Sequence, residues 1–141
     1  MTSVDVLVLR AGTEGLSMAD YAAELERRLP DRTVVHARTP AEERRYATTA
    51  TVITGNDIGQ DLLAEAENLE LFACTFAGTD HLPLEALRDR EVTVTNASGI
   101  HAPGIAEQVV GYLTIFARNL HVGIERGKRA EWRHFQSGEL K

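Results

Sequence analysis

The chain has 141 residues, of which 43% are hydrophobic and 26% are charged, and these values exclude a disordered, collagen-like or coiled-coil protein. A net charge of -6 argues against a nucleic-acid partner, and no run of about 18 apolar residues is present that could span a membrane. The single cysteine, Cys74, cannot form an internal disulfide, so we expect a protein of the reducing cytoplasm.

Only two of the fifteen basic residues are lysine. This acidic, lysine-poor composition has two interpretations, a GC-rich genome or a salt-adapted host in which negative surface charge maintains solubility. The sequence leaves both open.

Five short segments rich in β-branched and apolar residues predict β-strands. They are Val4–Leu9, Thr33–His36, Thr51–Ile53, Leu71–Cys74 and Val92–Thr95. Four segments between them predict helices: one from the N-cap Ser17 to about Leu29, one after the cap Thr39 and Pro40, one over Ile58–Glu67 and one over Pro83–Asp89. Because strands and helices alternate through residue 95, the sequence predicts a doubly wound α/β domain with a parallel sheet covered on both faces.

The segment after Pro103 has a different character, because it predicts one helix that is apolar on almost every side. Its apolar residues extend from Ile105 to Leu120. A surface helix shows a single apolar stripe, so this helix is either the central helix of its own core or packs against a second domain or subunit. A polar and basic segment with a lone tryptophan, Trp132, follows it.

Several kinds of site are not predicted. The eleven glycines never occur as G-x-G, so the chain lacks the fingerprint that lets a backbone approach a dinucleotide pyrophosphate. The loop Gly12–Gly15 also lacks the lysine of a P-loop. The five histidines and Cys74 do not have the spacing of metal ligands, so we expect no metal site.

Two loops at the carboxyl ends of the fourth and fifth predicted strands are the strongest candidates for a binding site, because ligands of open α/β sheets bind at that edge. In the first loop, Thr75–Leu82, Gly78 would let the backbone come close to a small ligand, and free N–H groups there could hold a carboxylate. An ordinary turn glycine is the alternative. The second loop, Thr95–Ile100, leads into the apolar helix.

At these loops the sequence resembles the NAD-dependent D-2-hydroxyacid dehydrogenases, which carry a V-G-x-D pattern, then T-N-x-x-G, then V-A-E. The corresponding residues are Ala77-Gly78-Thr79-Asp80, Thr95-Asn96-Ala97-Ser98-Gly99 and Ile105-Ala106-Glu107. The tail, with Gly127, Trp132 and Glu139-Leu140, also resembles the family's connector.

The resemblance implies two parts. Residues 1–100 would form a flavodoxin-like substrate-binding domain, and residues 101–141 an interdomain and dimerisation helix with a connector to a Rossmann domain beyond Lys141. It implies hydride transfer between NAD or NADP and a small 2-hydroxy or 2-oxo acid, and a homodimer through the Ile105–Leu120 helix. The family's catalytic Arg, Glu and His would all follow Lys141, so no catalytic residue is expected in this chain, which alone should be inactive.

The resemblance also implies roles for individual residues. The backbone N–H groups of Ala77 and Gly78 would hold the substrate carboxylate, and Ile105 would touch the nicotinamide. Asn96 and Gly99 would either shape their loop or contact the ligand, and Asp80 would fix the first loop. Members that act on phosphoglycerate carry an Arg after strand three, whereas Thr54–Asp57 contains no cation, so a phosphorylated substrate is not expected.

Two other functions remain open, a non-enzymatic corepressor or adaptor of the same fold and a free-standing flavodoxin-like binding module. Under the dehydrogenase interpretation, the parent gene should encode G-x-G-x-x-G after a strand within about 15 residues of Lys141. The absence of that fingerprint would overturn this interpretation. If Arg, Glu and His were missing downstream, the adaptor would be favoured.

Overall fold

A computed structural model describes residues 3–13 and 15–138 of the chain. Its strands form a five-stranded sheet in the order β2-β1-β3-β4-β5, and every neighbouring pair is parallel. The strands are β1 (Val6–Val8), β2 (Val34–His36), β3 (Val52–Gly55), β4 (Leu71–Cys74) and β5 (Thr93–Thr95). This is the flavodoxin-like doubly wound order, so the predicted fold class is confirmed.

Six helices accompany the strands in the described residues. They are α1 (Met18–Arg28), α2 (Pro40–Ala47), α3 (Gln60–Glu65), α4 (Leu84–Asp89), α5 (Ala102–Ala117) and α6 (Leu120–Lys128). Both predicted N-caps are present. Ser17 Oγ accepts from the N–H of Asp20 at 3.3 Å, and Thr39 Oγ1 accepts from the N–H of Glu42 at 3.2 Å.

Both faces of the sheet are buried, because successive apolar side chains of β1 point to opposite faces. Val6 and Val8 pack with Met18 and Ala22 of α1 on one face. Leu7 and Leu9 belong to a second cluster on the other face, together with these residues from the neighbouring strands and from the helices after them: Ile53, Phe72, Ala47, Leu63 and Leu87. Burial on both faces explains why these strands are almost continuously apolar.

The C-terminal part differs from the prediction in one respect. The prediction of a single helix from Ile105 to Leu120 is wrong, because α5 ends at Ala117 and a separate helix, α6, begins at Leu120. Asn119 between them has a left-handed φ of 50°, a conformation that asparagine tolerates better than most residues, and its Nδ2 donates to the carbonyl of Gln136 at 2.7 Å. The sequence did not predict α6, because Gly123 and Gly127 lower its helix propensity.

No side chain of α5 is buried, which argues against α5 as a central core helix. Its most exposed apolar residues are Ile105, Val110 and Phe116, at 61%, 59% and 68%. The chain divides into two compact units, one up to Ser98 and one from Gly99 onward. Neither contains, among its described residues, a helix long and apolar enough to cross a membrane.

His36 at the end of β2 is a partly buried ionisable group. Its Nδ1 is buried and has no hydrogen-bond partner within the described residues. Burial lowers the pKa of His36 below its usual value, the positive charge of Arg38 lowers it further, and the carboxylate of Glu42 opposes both effects. The folded chain therefore favours a neutral imidazole at this position.

We expect this histidine to make the protein less stable in acid. Above about pH 6.5 the imidazole is neutral in both states, whereas below it the unfolded chain binds a proton that the folded chain resists. As the pH is lowered from about 6.5, the free energy of unfolding should therefore fall until the pH is below the pKa of His36 in the folded chain. Urea unfolding at a series of pH values, compared with His36→Gln, measures this, and an equal slope in both proteins would contradict it.

Candidate carboxylate-binding site

The loops after β1, β3, β4 and β5 meet at one edge of the sheet, because all five strands are parallel and these four are neighbours. The loops are also bonded to each other. The Thr13 hydroxyl, after β1, lies 3.2 Å from the carbonyl oxygen of Thr75 after β4. The N–H of Thr75 donates to the carbonyl of Gly55 at 2.9 Å. This edge is where doubly wound sheets bind ligands.

Asn56, directly after β3, connects three of these loops. Its N–H donates to the carbonyl of Ala11 at 3.3 Å, and its Oδ1 lies 3.5 Å from the Thr13 hydroxyl. Its carbonyl oxygen accepts from Cys74 Sγ at 3.3 Å and from His81 Nε2 at 2.7 Å. Because one residue bonds to the loops after β1 and β4 at once, the relative positions of these loops are strongly constrained.

The predicted carboxylate-binding groups lie in the loop after β4. Within the described residues, the N–H groups of Ala77 and Gly78 donate to no group of the chain, and both residues are half-buried. Two consecutive free N–H groups are suited to hold one anionic ligand without a charged side chain.

Nothing in the described chain requires a glycine at position 78. Gly78 has no positive φ, and an added Cβ would meet only the ring of Phe76, at an ordinary contact distance of 3.5 Å. The turn-glycine alternative therefore has no conformational support. Because Gly78 has no side chain, the space beside its backbone is bounded by the Phe76 ring.

The loop after β5 holds this segment in place. Asn96 Nδ2 donates to the carbonyl of Ala77 at 2.5 Å, and the N–H of Ala97 donates to the carbonyl of Phe76 at 3.1 Å. Asn96 therefore shapes the loop, the first of its two predicted roles. Gly99 has a φ of 86°, which favours glycine and supports a shaping role there too.

The loop after β4 is fixed by His81 and not by the neighbouring Asp80. Asp80 is exposed and its side chain makes no hydrogen bond or ion pair within the described residues, so its predicted role is not supported. His81 contacts Asn56, and its ring lies edge-on to Phe76, with 5.8 Å between ring centroids. The sequence could have pointed to His81 only through its place beside Asp80, because its partner, Asn56, lies 25 residues away in the sequence.

The predicted nicotinamide contact, Ile105, lies in the other unit of the chain. It occupies the first turns of α5, and its N–H donates to the carbonyl of His101 at 2.9 Å. Its side chain is exposed. Of the three predicted site residues, Ala77 and Gly78 are therefore adjacent in one loop, and Ile105 is on a separate element.

Gly12, after β1, does not offer the open glycine backbone that a dinucleotide pyrophosphate needs, because an added Cβ there would fall 2.2 Å from Met18 Sδ. The only cation at the end of β1, Arg10, is bonded to Glu43, with 3.2 Å between Nε and Oε2. In residues 3–13 and 15–138, no group of three or more His, Cys, Asp or Glu could hold a metal ion.

Comparison with known proteins identifies the class of protein to which this fold and loop pattern belong. Residues 7–130 match the family model described as "D-isomer specific 2-hydroxyacid dehydrogenase, catalytic domain". The match covers most of the chain, and the chain therefore belongs to this family.

Individual relatives agree with that assignment. Formate dehydrogenase 1 of Saccharomyces cerevisiae is 35% identical over 75 residues, which are 53% of this chain and 20% of the relative. The structure of a D-isomer specific 2-hydroxyacid dehydrogenase family protein from Aeromonas salmonicida is 26% identical, with a TM-score of 0.73, over 99% of this chain and 44% of that one. D-lactate dehydrogenase of Aquifex aeolicus, solved with NAD and lactic acid, shares the fold at 16% identity and a TM-score of 0.68, over 94% of this chain and 39% of that one. The chain thus spans about a fifth of the curated relative and less than half of each solved structure.

We predict that Asn96→Ala loosens the loop after β4, because it removes the donor to the carbonyl of Ala77. The N–H of Ala97 should exchange with solvent about three- to tenfold faster, as expected for the loss of one neutral hydrogen bond nearby. Hydrogen exchange measured by NMR tests this. Asn68→Ala is a matched control, because exposed Asn68 also donates to a backbone carbonyl, that of Thr48 at 2.7 Å. Equal Ala97 exchange in both variants would contradict the prediction.

Proposed function

We propose that this chain is the substrate-binding part of an NAD- or NADP-dependent oxidoreductase that acts on a small 2-hydroxy or 2-oxo acid. Membership of the family supports the class of reaction. The observation that carries the proposal is the pair of N–H groups at Ala77 and Gly78, which have no partner in the part of the chain that the structure describes and lie at the sheet edge where ligands bind.

The ligand that these groups suit is a carboxylate with a small neutral substituent. Two backbone N–H groups can donate to the two oxygens of one carboxylate, while the Phe76 ring limits the space beside them. The loop after β3 carries Asp57 and no cation, which supports an unphosphorylated substrate. A D-3-phosphoglycerate dehydrogenase of Methanocaldococcus jannaschii is 28% identical to this chain, over 70% of this chain and 19% of that relative.

The cofactor would be bound mainly outside this chain. Met18 fills the space beside Gly12 after β1, so we propose that a Rossmann domain following residues 101–141 supplies the pyrophosphate site, together with the catalytic side chains. Ile105, exposed in α5, would then contact the nicotinamide. The free and buried thiol of Cys74 supports a reducing cytoplasm as the compartment.

Oxamate, a 2-oxo-acid isostere that cannot be reduced, tests the carboxylate site. Titrated into the ¹⁵N-labelled chain, it should shift the amide signals of Ala77 and Gly78, whereas acetamide, which lacks a carboxylate, should not. Gly78→Ala should weaken binding about tenfold, because its methyl group enters the ligand space while the fold tolerates it.

Gly59→Ala is the matched control, because its Cβ would meet nothing within 4 Å and it lies in another loop. Unshifted Ala77 and Gly78 signals in the parent chain would refute the carboxylate site. Equal oxamate affinity in Gly78→Ala and the parent chain would refute the proposed binding geometry.

We also propose a homodimer formed through α5. The exposed apolar side chains of this helix, including Val109, Tyr112 and Leu113, would leave an apolar surface in water that association would bury.

Size-exclusion chromatography with light scattering should therefore give the mass of two chains. Phe116→Asp should give the mass of one, because burying an unpaired carboxylate at the interface is costly. Leu16→Asp, which adds the same charge at an exposed leucine of the first unit, should remain dimeric. A parent chain that is monomeric at all concentrations would contradict the proposal.

A further inference from the structure

The loop after β4 is held in place by hydrogen bonds to the neighbouring loops. Between Phe76 and His81 it has no regular secondary structure, and β4 and α4 bound it on either side. Among residues 3–13 and 15–138, the N–H groups of Ala77 and Gly78 have no partner, so the bonds that orient them come from other atoms of the loop. Those contacts decide how well the two N–H groups stay aimed at one ligand.

We infer that His81 is a positioning residue for the Ala77–Gly78 site, acting through its hydrogen bond to the Asn56 carbonyl. The Nε2 nitrogen lies 2.7 Å from that oxygen, and since a carbonyl only accepts, Nε2 carries the hydrogen. This inference rests on the proposed function, because it assigns His81 a role in holding the groups that would bind the carboxylate.

The bond from His81 closes the loop against the sheet edge at its C-terminal side. On the N-terminal side, Cys74 Sγ donates to the same carbonyl oxygen at 3.3 Å. Both ends of the segment are thus attached to one atom, Asn56 O, and Asn56 is itself bonded to Ala11 after β1. Residues 75–80 are therefore held between two hydrogen bonds to the same oxygen.

His81 has a second contact that acts in the same direction. Its ring meets the Phe76 ring edge-on, at an interplanar angle of 77°. The carbonyl of Phe76 accepts from the N–H of Ala97, so a displaced Phe76 would also loosen the loop after β5. His81 is exposed and contributes no atom to the predicted carboxylate contact, which distinguishes a positioning role from direct binding.

Two substitutions separate the donor from the ring. His81→Phe keeps an aromatic ring beside Phe76 and removes the donor. His81→Gln removes the ring and keeps an N–H at the same number of bonds from Cα. Exposed His134, in the other unit, provides the control His134→Phe. For each variant, oxamate affinity, Ala97 hydrogen exchange in the ligand-free chain and the urea midpoint are measured.

His81→Phe should bind oxamate about three- to tenfold more weakly and exchange the Ala97 N–H faster, with a urea midpoint close to that of the parent chain. His81→Gln should restore both properties to within about twofold. His134→Phe should match the parent chain in all three measurements.

The inference is overturned if His81→Phe matches the parent chain in affinity and in Ala97 exchange, or if it lowers the urea midpoint while affinity is unchanged. It is also overturned if the Gln and Phe variants are equally impaired, because the donor would then not be the cause. If oxamate does not bind the parent chain but His81→Phe still accelerates Ala97 exchange, the proposed function fails and the positioning role of His81 stands.

Discussion

The pairing of β4 between β3 and β5 is the constraint on which the candidate site depends. Phe72 on β4 is fully buried, with Ile53 and Val94 as its register partners on either side. Because all three strands run in the same direction, the loops that leave them emerge at one edge. The loop that carries Ala77 and Gly78 is therefore flanked by a loop on each side, and each neighbour supplies a hydrogen bond that orients it.

Charged side chains have only a small part in the arrangement of these loops. The loops after β3 (56–59), β4 (75–83) and β5 (96–101) contain no lysine or arginine, and Arg10 after β1 is bonded to Glu43. An anion at this edge would be held by backbone dipoles instead of by a salt bridge. Backbone groups recognise a planar carboxylate through direction more than through charge, so the order of the loop matters more here than a local positive potential.

Much of this protein could be predicted from its sequence. Runs of β-branched residues located all five strands to within about three residues, since fully buried strands need apolar side chains at nearly every position. Ser17 and Thr39 marked two helix starts because capping is a local interaction between residues three apart. The glycine of the loop after β4 was identified by its position at a strand end, and the family was identified by the order of its short motifs.

Other features were decided only by the tertiary structure, because they join residues that are distant in sequence. The contacts of Asn56 with Thr13 and His81 span 43 and 25 residues, so no local pattern distinguishes Asn56 from an ordinary turn asparagine. The break between α5 and α6 at Asn119 depends on its left-handed backbone and on a bond to Gln136, which lies 17 residues away. Local sequence thus determined which segments fold and which loops carry the small residues. Long-range packing determined which side chains hold those loops, since a hydrogen bond across the sheet edge exists only after the strands have paired.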